Sequence, residues 1–299
     1  MPLYSAYGLA LDSELRLPLP ARIGALPLAA VSVLRDDFAA RAGAAVELPY
    51  DAGGAVYGPF GDGVMASVKG VCDFIITETE IRVGGGASEE EAGDLVARMA
   101  LGFVLQLRSM LAFHGSAVCR DGKALMILGG RGAGKSTTAA GLARRGWDLL
   151  CDDCVAVGNG LELPRGACLA RLLPDAYEAL TRCDGRPEPD RDGKLRLGFE
   201  GALAEAPERA EARLECAFVV SASASDIVEA SELRGYSKLG AVLPHLLSPR
   251  GIGDPGLRLE RAAQAMGGTR MFMVARPSGR FALEELLDRI ETISRGEAA

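Results

Sequence analysis

Residues 129–136 read Gly-Gly-Arg-Gly-Ala-Gly-Lys-Ser, and this stretch limits the fold more tightly than any other. It fits G-x-x-x-x-G-K-[ST] without a gap. Four of its first six residues are glycine, so the backbone can turn sharply enough for successive N–H groups to face one point. An apolar run, Ala124–Leu128, leads in. Helix formers from Lys135 to Arg145 lead out, and Gly146 stands where a helix C-cap glycine belongs. A strand, a glycine loop and a helix N-terminus in that order make an anion site, because the helix dipole adds to the converging N–H groups. The expected ligand is a nucleoside triphosphate, ATP with Mg2+, cradled by Gly129, Gly130, Arg131, Gly132, Ala133 and Gly134 and by the helix start through Thr137. Lys135 would reach the β and γ phosphates, and Ser136 would offer its hydroxyl to Mg2+.

A short strand, Trp147–Leu150, follows the helix and ends at Asp152-Asp153, sixteen residues past Ser136. Ala124 to Asp153 therefore reads as a β-loop-α-β unit. Ligands of open α/β sheets bind at the carboxyl ends of strands, which sets this acidic pair apart from an ordinary solvated turn. One acid can hold a metal while the other accepts a proton from an incoming hydroxyl. Cys151 and Cys154 bracket the pair as C-x-x-C. No further ligands stand nearby at zinc spacing, so they read as two half-buried thiols. His114 opens a strand, Phe113–Cys119, where a lone histidine is more often structural than catalytic. His245 is assigned no role.

The rest of the chain supplies the frame. Leu3–Leu11, Ala44–Leu48, Val64–Val68, Phe74–Thr77 and Ile81–Val83 read as short strands between Gly, Pro and Asp. Ser88 with Glu91 forms a capping box, and Leu95, Met99, Phe103 and Leu107 recur at helical spacing, predicting a helix from Glu89 to Met110. Asp121-Gly122 marks a hairpin. Strands Leu214–Ser221 and Met271–Ala275 and a closing helix, Leu283–Ile293, extend the core. The polar stretch Cys183–Asp192, with Arg182, Arg186 and Arg191 in and beside it, reads as an exposed loop whose arginines are either ordinary solvated side chains or a guide for an acidic or carboxylate-bearing peptide end. The expected fold class is α/β. A β-rich N-terminal domain covers 1–86, a linking helix 87–110 and a P-loop domain 111–299.

Bulk properties narrow the partners. The net charge of −7 gives no basic stripe for nucleic acid. No run reaches the roughly 18 apolar residues that span a bilayer, and Gln106 and Arg108 break the best one. Asp12 and Glu14 stand where a signal peptide would be apolar. Seven cysteines, an odd and scattered set, fit free thiols in a reducing cytoplasm. The oligomeric state is left open, a homo-oligomer included.

Phe113-His114-Gly115-Ser116-Ala117-Val118, the glycine loop, and Arg145-Gly146-Trp147-Asp148-Leu149-Leu150-Cys151-Asp152-Asp153 together resemble the catalytic core of HPr kinase/phosphorylase. The close match runs from Phe113 to Val155. The opening Tyr4-Ser5-Ala6-Tyr7-Gly8-Leu9 resembles the shorter HPr-kinase-like proteins of bacterial accessory gene clusters, including tailoring kinases of lasso-peptide pathways. The resemblance implies an HPr-kinase-like domain that phosphorylates a serine of a peptide or protein, such as a lasso-peptide precursor. It places His114 beside the reacting phosphate, and it favours Asp152 as general base and Asp153 as metal ligand with Ser136. Two departures stand out. Glu232-Leu233-Arg234-Gly235 is similar to part of the family's second glycine-rich signature but lies too far downstream, leaving phosphorolysis open. Arg131 also replaces a small residue. A small-molecule kinase and a non-catalytic nucleotide-binding regulator remain as alternatives, and a pure binder would have no use for the acidic pair.

Overall fold

The computed structural model describes residues 1–22, 30–36, 38, 48, 50–52, 54–181, 188–190, 192–198 and 212–297. It is a mixed α/β structure with a β-rich N-terminal region. Among the described residues the first eight strands form one sheet: β1 (Leu3–Ala6), β2 (Leu9–Ser13), β3 (Ala30–Arg35), β4 (Tyr50–Ala52), β5 (Ala55–Phe60), β6 (Gly63–Val68), β7 (Cys72–Ile76) and β8 (Glu80–Gly84). Their spatial order is β1-β2-β3-β8-β7-β6-β5-β4. The run expected as one strand, Leu3–Leu11, is a hairpin instead. Tyr7 and Gly8 take φ of 55° and 74° and fold β1 back on β2. Of the expected strand Ala44–Leu48, residues 44–47 lie outside the described residues, and Leu48 is in no strand.

The predicted helix forms with its capping box intact, as the Ser88 hydroxyl accepts from the Glu91 N–H at 3.2 Å. It runs as α-helix from Glu89–Leu95, passes through a π-helical turn at Val96–Ala100 and resumes over Leu101–Leu107.

The predicted strand Phe113–Cys119 divides at His114-Gly115. β9 (Leu111–Phe113) turns away from β10 (Ser116–Arg120), which pairs with β11 (Lys123–Gly129) across Asp121-Gly122, φ 53° and 74°. Two positive φ values in a two-residue loop match the twist of the flanking strands. A Cβ on Gly115 would approach the Ile127 carbonyl at 2.8 Å, so this crossing needs glycine. The phosphate-loop helix covers Lys135–Arg144, and Gly146, φ 88°, ends it in a Schellman motif. Its N–H bonds to the Ala143 carbonyl, and that of Trp147 bonds to Leu142.

The remaining strands are β12 (Asp148–Cys151), β13 (Val155–Val157), β14 (Glu162–Leu163), β15 (Ala170–Leu172), β16 (Leu195–Leu197), β17 (Ala212–Ser223), β18 (Glu229–Leu233) and β19 (Arg270–Pro277). The second sheet has the order β12-β10-β11-β17-β19-β18, with β14 against β17. Within it β11, β17 and β19 run parallel. Their carboxyl ends therefore lie together, at the loop that begins at Gly129.

Strand alternation divides the core. Leu125, Ile127, Phe218, Val220, Phe272 and Val274 pack on the phosphate-loop helix and the closing helix, Leu283–Ser294. Met126, Leu128, Ala217, Val219 and Met271 face the other way and join the helix from Glu89 and the first sheet in one unbroken apolar cluster. The closing helix buries Leu283, Leu286, Leu287, Ile290 and Ile293. Each is worth roughly 1.5–3 kcal/mol over exposure, which exceeds anything helix propensity supplies over those positions. A Cβ on Gly141 would meet Leu287 at 2.8 Å, so that glycine lets the two helices close together. Among the described residues no helix is long and apolar enough to cross a membrane.

Candidate active site

The loop after β11 owes its shape to glycine. Gly129, Gly132 and Gly134 take φ of 151°, 77° and 104°, values that side chains with a Cβ resist. Gly134 caps the following helix without a side-chain acceptor. The first intrahelical bond is Thr138 N–H to the Gly134 carbonyl, at 2.8 Å. The N–H groups of Lys135, Ser136 and Thr137 therefore stand at the positive end of the helix dipole without an intrahelical partner. Lys135 is buried, and its Nζ donates to the Gly129 and Gly130 carbonyls at 2.9 and 3.2 Å. Burial holds its pKa below the ordinary lysine value, and Asp152 and Asp153 pull it the other way. Arg131 is exposed, Ser136 and Thr137 are half-buried, and Ala133 is buried.

Asp152 follows the end of β12, where its N–H bonds to the Ala167 carbonyl at 2.8 Å. Its carboxylate accepts from the Ser116 hydroxyl at 2.6 Å and the Arg171 N–H at 3.3 Å, and the Ser136 hydroxyl stands near enough to stabilise its charge. Burial, with the Asp153 charge added, pushes this carboxyl up to about 6 against those three donors. Asp153 takes φ 67°, a left-handed conformation uncommon outside glycine and typical of strained functional turns. The turn aims its carbonyl at His114 Nδ1, 2.9 Å away. A carbonyl only accepts, so Nδ1 carries the proton and Nε2 is the acceptor nitrogen of the neutral ring. The surrounding protein and the Lys135 charge hold the His114 pKa below the ordinary histidine value.

His114, Lys135, Ser136, Asp152 and Asp153 thus converge from three separate segments. Nothing in the local pattern singles out Arg171, in the middle of β15. Its guanidinium is buried and lies 3.7 Å from Asp153, 2.6 Å from Asp190 and 2.7 Å from Asp192. Arg276, on β19, donates from Nε to the Ala133 carbonyl at 2.9 Å and from Nη2 to the Gly132 carbonyl at 3.1 Å, bracing the loop from outside. His245 received no role in the sequence reading, yet its carbonyl accepts from the His114 N–H at 2.7 Å, and burial with the Lys135 charge holds its pKa below the ordinary histidine value. Ser116 was visible beside His114 in the sequence. The other three sit 36 to 141 positions downstream of Lys135, and only folding brings them near it. Of the loop Cys183–Asp192, residues 183–187 and 191 lie outside the described residues, as does Arg182 beside it.

Cys151 and Cys154 are buried, more deeply than the half-buried thiols expected, and burial pushes the Cys154 thiol up to about 12. Tyr7 is fully buried beside them and donates from its hydroxyl to the Cys154 carbonyl at 3.3 Å, so the N-terminal hairpin buttresses the acidic turn. Among the described residues no group of three His, Cys, Asp or Glu side chains is arranged to hold a metal ion. The donor set fits Mg2+ nonetheless, because this ion commonly takes one or two protein oxygens and completes its shell with phosphates and water. Ser136 and the acidic pair supply those oxygens at the mouth of the phosphate cradle.

No protein-family model matches the chain, and no curated protein matches it. Among solved structures it is similar to the Hpr(Ser) kinase/phosphatase from Coxiella burnetii, at 12% identity over 62% of this chain and 98% of that one, with a TM-score of 0.28. A likeness of that size carries no weight for fold or function.

Proposed function

We propose that this chain is an ATP- and Mg2+-dependent kinase that transfers the γ-phosphoryl group to a serine hydroxyl of a peptide or protein. One observation carries the reading: the Lys135 ammonium and the Asp152 and Asp153 carboxylates stand close enough to feel each other across the mouth of a glycine-rich phosphate loop. A binder needs the loop and the lysine. Two acids at the same mouth are of use only to a site that also handles a metal and a proton.

The division of labour follows from exposure and bonding. Asp152 is buried with the Ser136 hydroxyl near its carboxylate, which supports a role on the metal side. Asp153 keeps 22% of its side chain in solvent, so an incoming hydroxyl can reach it. This assignment reverses the one implied by the family resemblance. In the step itself, Asp153 takes the proton of the serine hydroxyl as its oxygen bonds to the γ-phosphorus. The bond from that phosphorus to the β–γ bridging oxygen breaks, and ADP leaves with the bridging oxygen. Lys135 and the loop N–H groups stabilise the charge spread over the phosphoryl oxygens. Mg2+ would neutralise the β and γ oxygens from the Ser136–Asp152 side.

A flexible serine suits this mouth, because a serine on a folded surface rarely reaches a phosphate held inside a loop. The acceptor to try first is a lasso-peptide precursor ending in serine. Incubated with the protein, ATP and Mg2+, it should gain one phosphoryl group by mass spectrometry, and its Ser→Ala version should gain none. Phosphate found only on a sugar or metabolite would replace the peptide reading with a small-molecule kinase.

A further inference from the structure

The two flanks of the phosphate loop differ in chemistry. Asp152, Asp153 and His114 stand on the β12 flank. On the other flank β17 and β19 end at Ser223 and Pro277. Arg276 alternates with Phe272 and Val274, so it lies on the helix-covered face of the sheet, against the Gly132 and Ala133 carbonyls.

Beyond Arg276 the two connections that leave these strands are fastened together. The Ser278 N–H donates to the Ser223 carbonyl at 2.9 Å, and Arg280 Nη2 donates to the Asp226 carbonyl at 2.7 Å. Glu285 holds the same guanidinium with both carboxylate oxygens, at 2.5 and 2.6 Å. Each connection then presents one large apolar side chain to water: Ile227 is 62% exposed and Phe281 56%. Neither belongs to an apolar core cluster. A single exposed apolar residue is unremarkable. Two of them on adjoining, fastened connections, next to an anion cradle, form a prepared surface.

A triphosphate seated with its γ end toward Asp152 and Asp153 leaves the loop on the opposite flank, which carries its nucleoside over these connections. We propose that Phe281 and Ile227 form the subsite for the nucleobase. The Phe281 ring is the stacking face, and Ile227 is an apolar wall on the neighbouring connection. The inference rests on the reading of the Gly129–Thr137 loop as a nucleoside-triphosphate site. A ring face and an aliphatic wall recognise the presence of a base more than its identity, so ATP and GTP should bind alike at this subsite.

Calorimetric titration of the full chain with Mg·ATP and with Mg·tripolyphosphate, which has the phosphates but no base, separates the two readings. Phe281→Ala and Ile227→Ser should each weaken Mg·ATP roughly ten-fold, a typical loss for one stacked base. Both should leave Mg·tripolyphosphate unchanged, and Phe281→Tyr should retain ATP affinity. Unaltered ATP affinity in Phe281→Ala would overturn the base subsite while the phosphate loop stands. Equal weakening of both ligands would overturn it too, since that pattern means a distorted loop. If the wild-type protein bound neither ligand, the phosphate reading and the subsite would fall together.

Discussion

The hydroxyl of Ser116 donates to a carboxylate oxygen of Asp152 at 2.6 Å, and both side chains are buried. A donor of this kind stabilises the charged carboxylate, so it works against the burial that raises the Asp152 pKa to about 6. The free protein therefore holds Asp152 protonated below about pH 6 and ionised above it. We expect kcat/KM to fall as pH is lowered through that region. Ser116→Ala removes a stabiliser of the charged form, so the acid limb of its pH profile should move to higher pH. A limb that stays in place would show that this hydrogen bond does not set the titration.

The same pKa shift has a consequence for stability. The folded state holds the Asp152 proton more tightly than the unfolded chain, whose carboxyl titrates near the ordinary aspartate value of 3.8. Its contribution to stability is thus fully present below that value and is lost as pH rises through about 6. Asp152→Asn should flatten this part of the stability profile in chemical denaturation.

Arg171 is one buried cation among Asp153, Asp190 and Asp192. Removing it leaves carboxylates without their partner, and breaking a buried pair in this way costs about 3–5 kcal/mol. Arg171→Met should lower stability by that order. Arg171→Lys should recover only part of the loss, because one ammonium cannot reproduce the fork that meets Asp190 and Asp192 together. Equal stability of the wild type and Arg171→Met in urea would contradict the assignment.

The acidic pair was legible in the sequence because it sits at a strand end, a short distance after a glycine-rich loop whose spacing is distinctive. The parallel core strands, the capping box and the closing helix were legible for a similar reason, as each is written in local periodicity or in a turn residue. Two long runs, Leu3–Leu11 and Phe113–Cys119, were not. Each carries a lone glycine that a strand tolerates, and only the positive φ at Tyr7 or the close crossing at Gly115 divides it. Arg171 and Arg276 escaped notice because an arginine on a strand reads as a solvated side chain until the topology places acids or carbonyls around it.

Adjacent glycines of the loop should tolerate a methyl group differently. A Cβ on Gly129 would collide with the Val220 carbonyl and would have to accept φ 151°, whereas one on Gly130 meets nothing within 4 Å. Gly129→Ala should therefore lower stability and impair nucleotide binding, while Gly130→Ala should fold normally. Thermal denaturation of the pair would decide it, and equal melting temperatures would contradict the loop geometry.

The central claim is that residues 129–137 hold a triphosphate against the Lys135 ammonium. Calorimetric titration of Mg·ATP into the wild-type protein and Lys135→Ala tests it most directly, with circular dichroism of both proteins as the check on folding. The wild type should bind, and the folded variant should show no tight binding, because the buried point charge facing the β and γ phosphates is gone. Wild-type affinity in Lys135→Ala, or no Mg·ATP binding by the wild type, would contradict the claim.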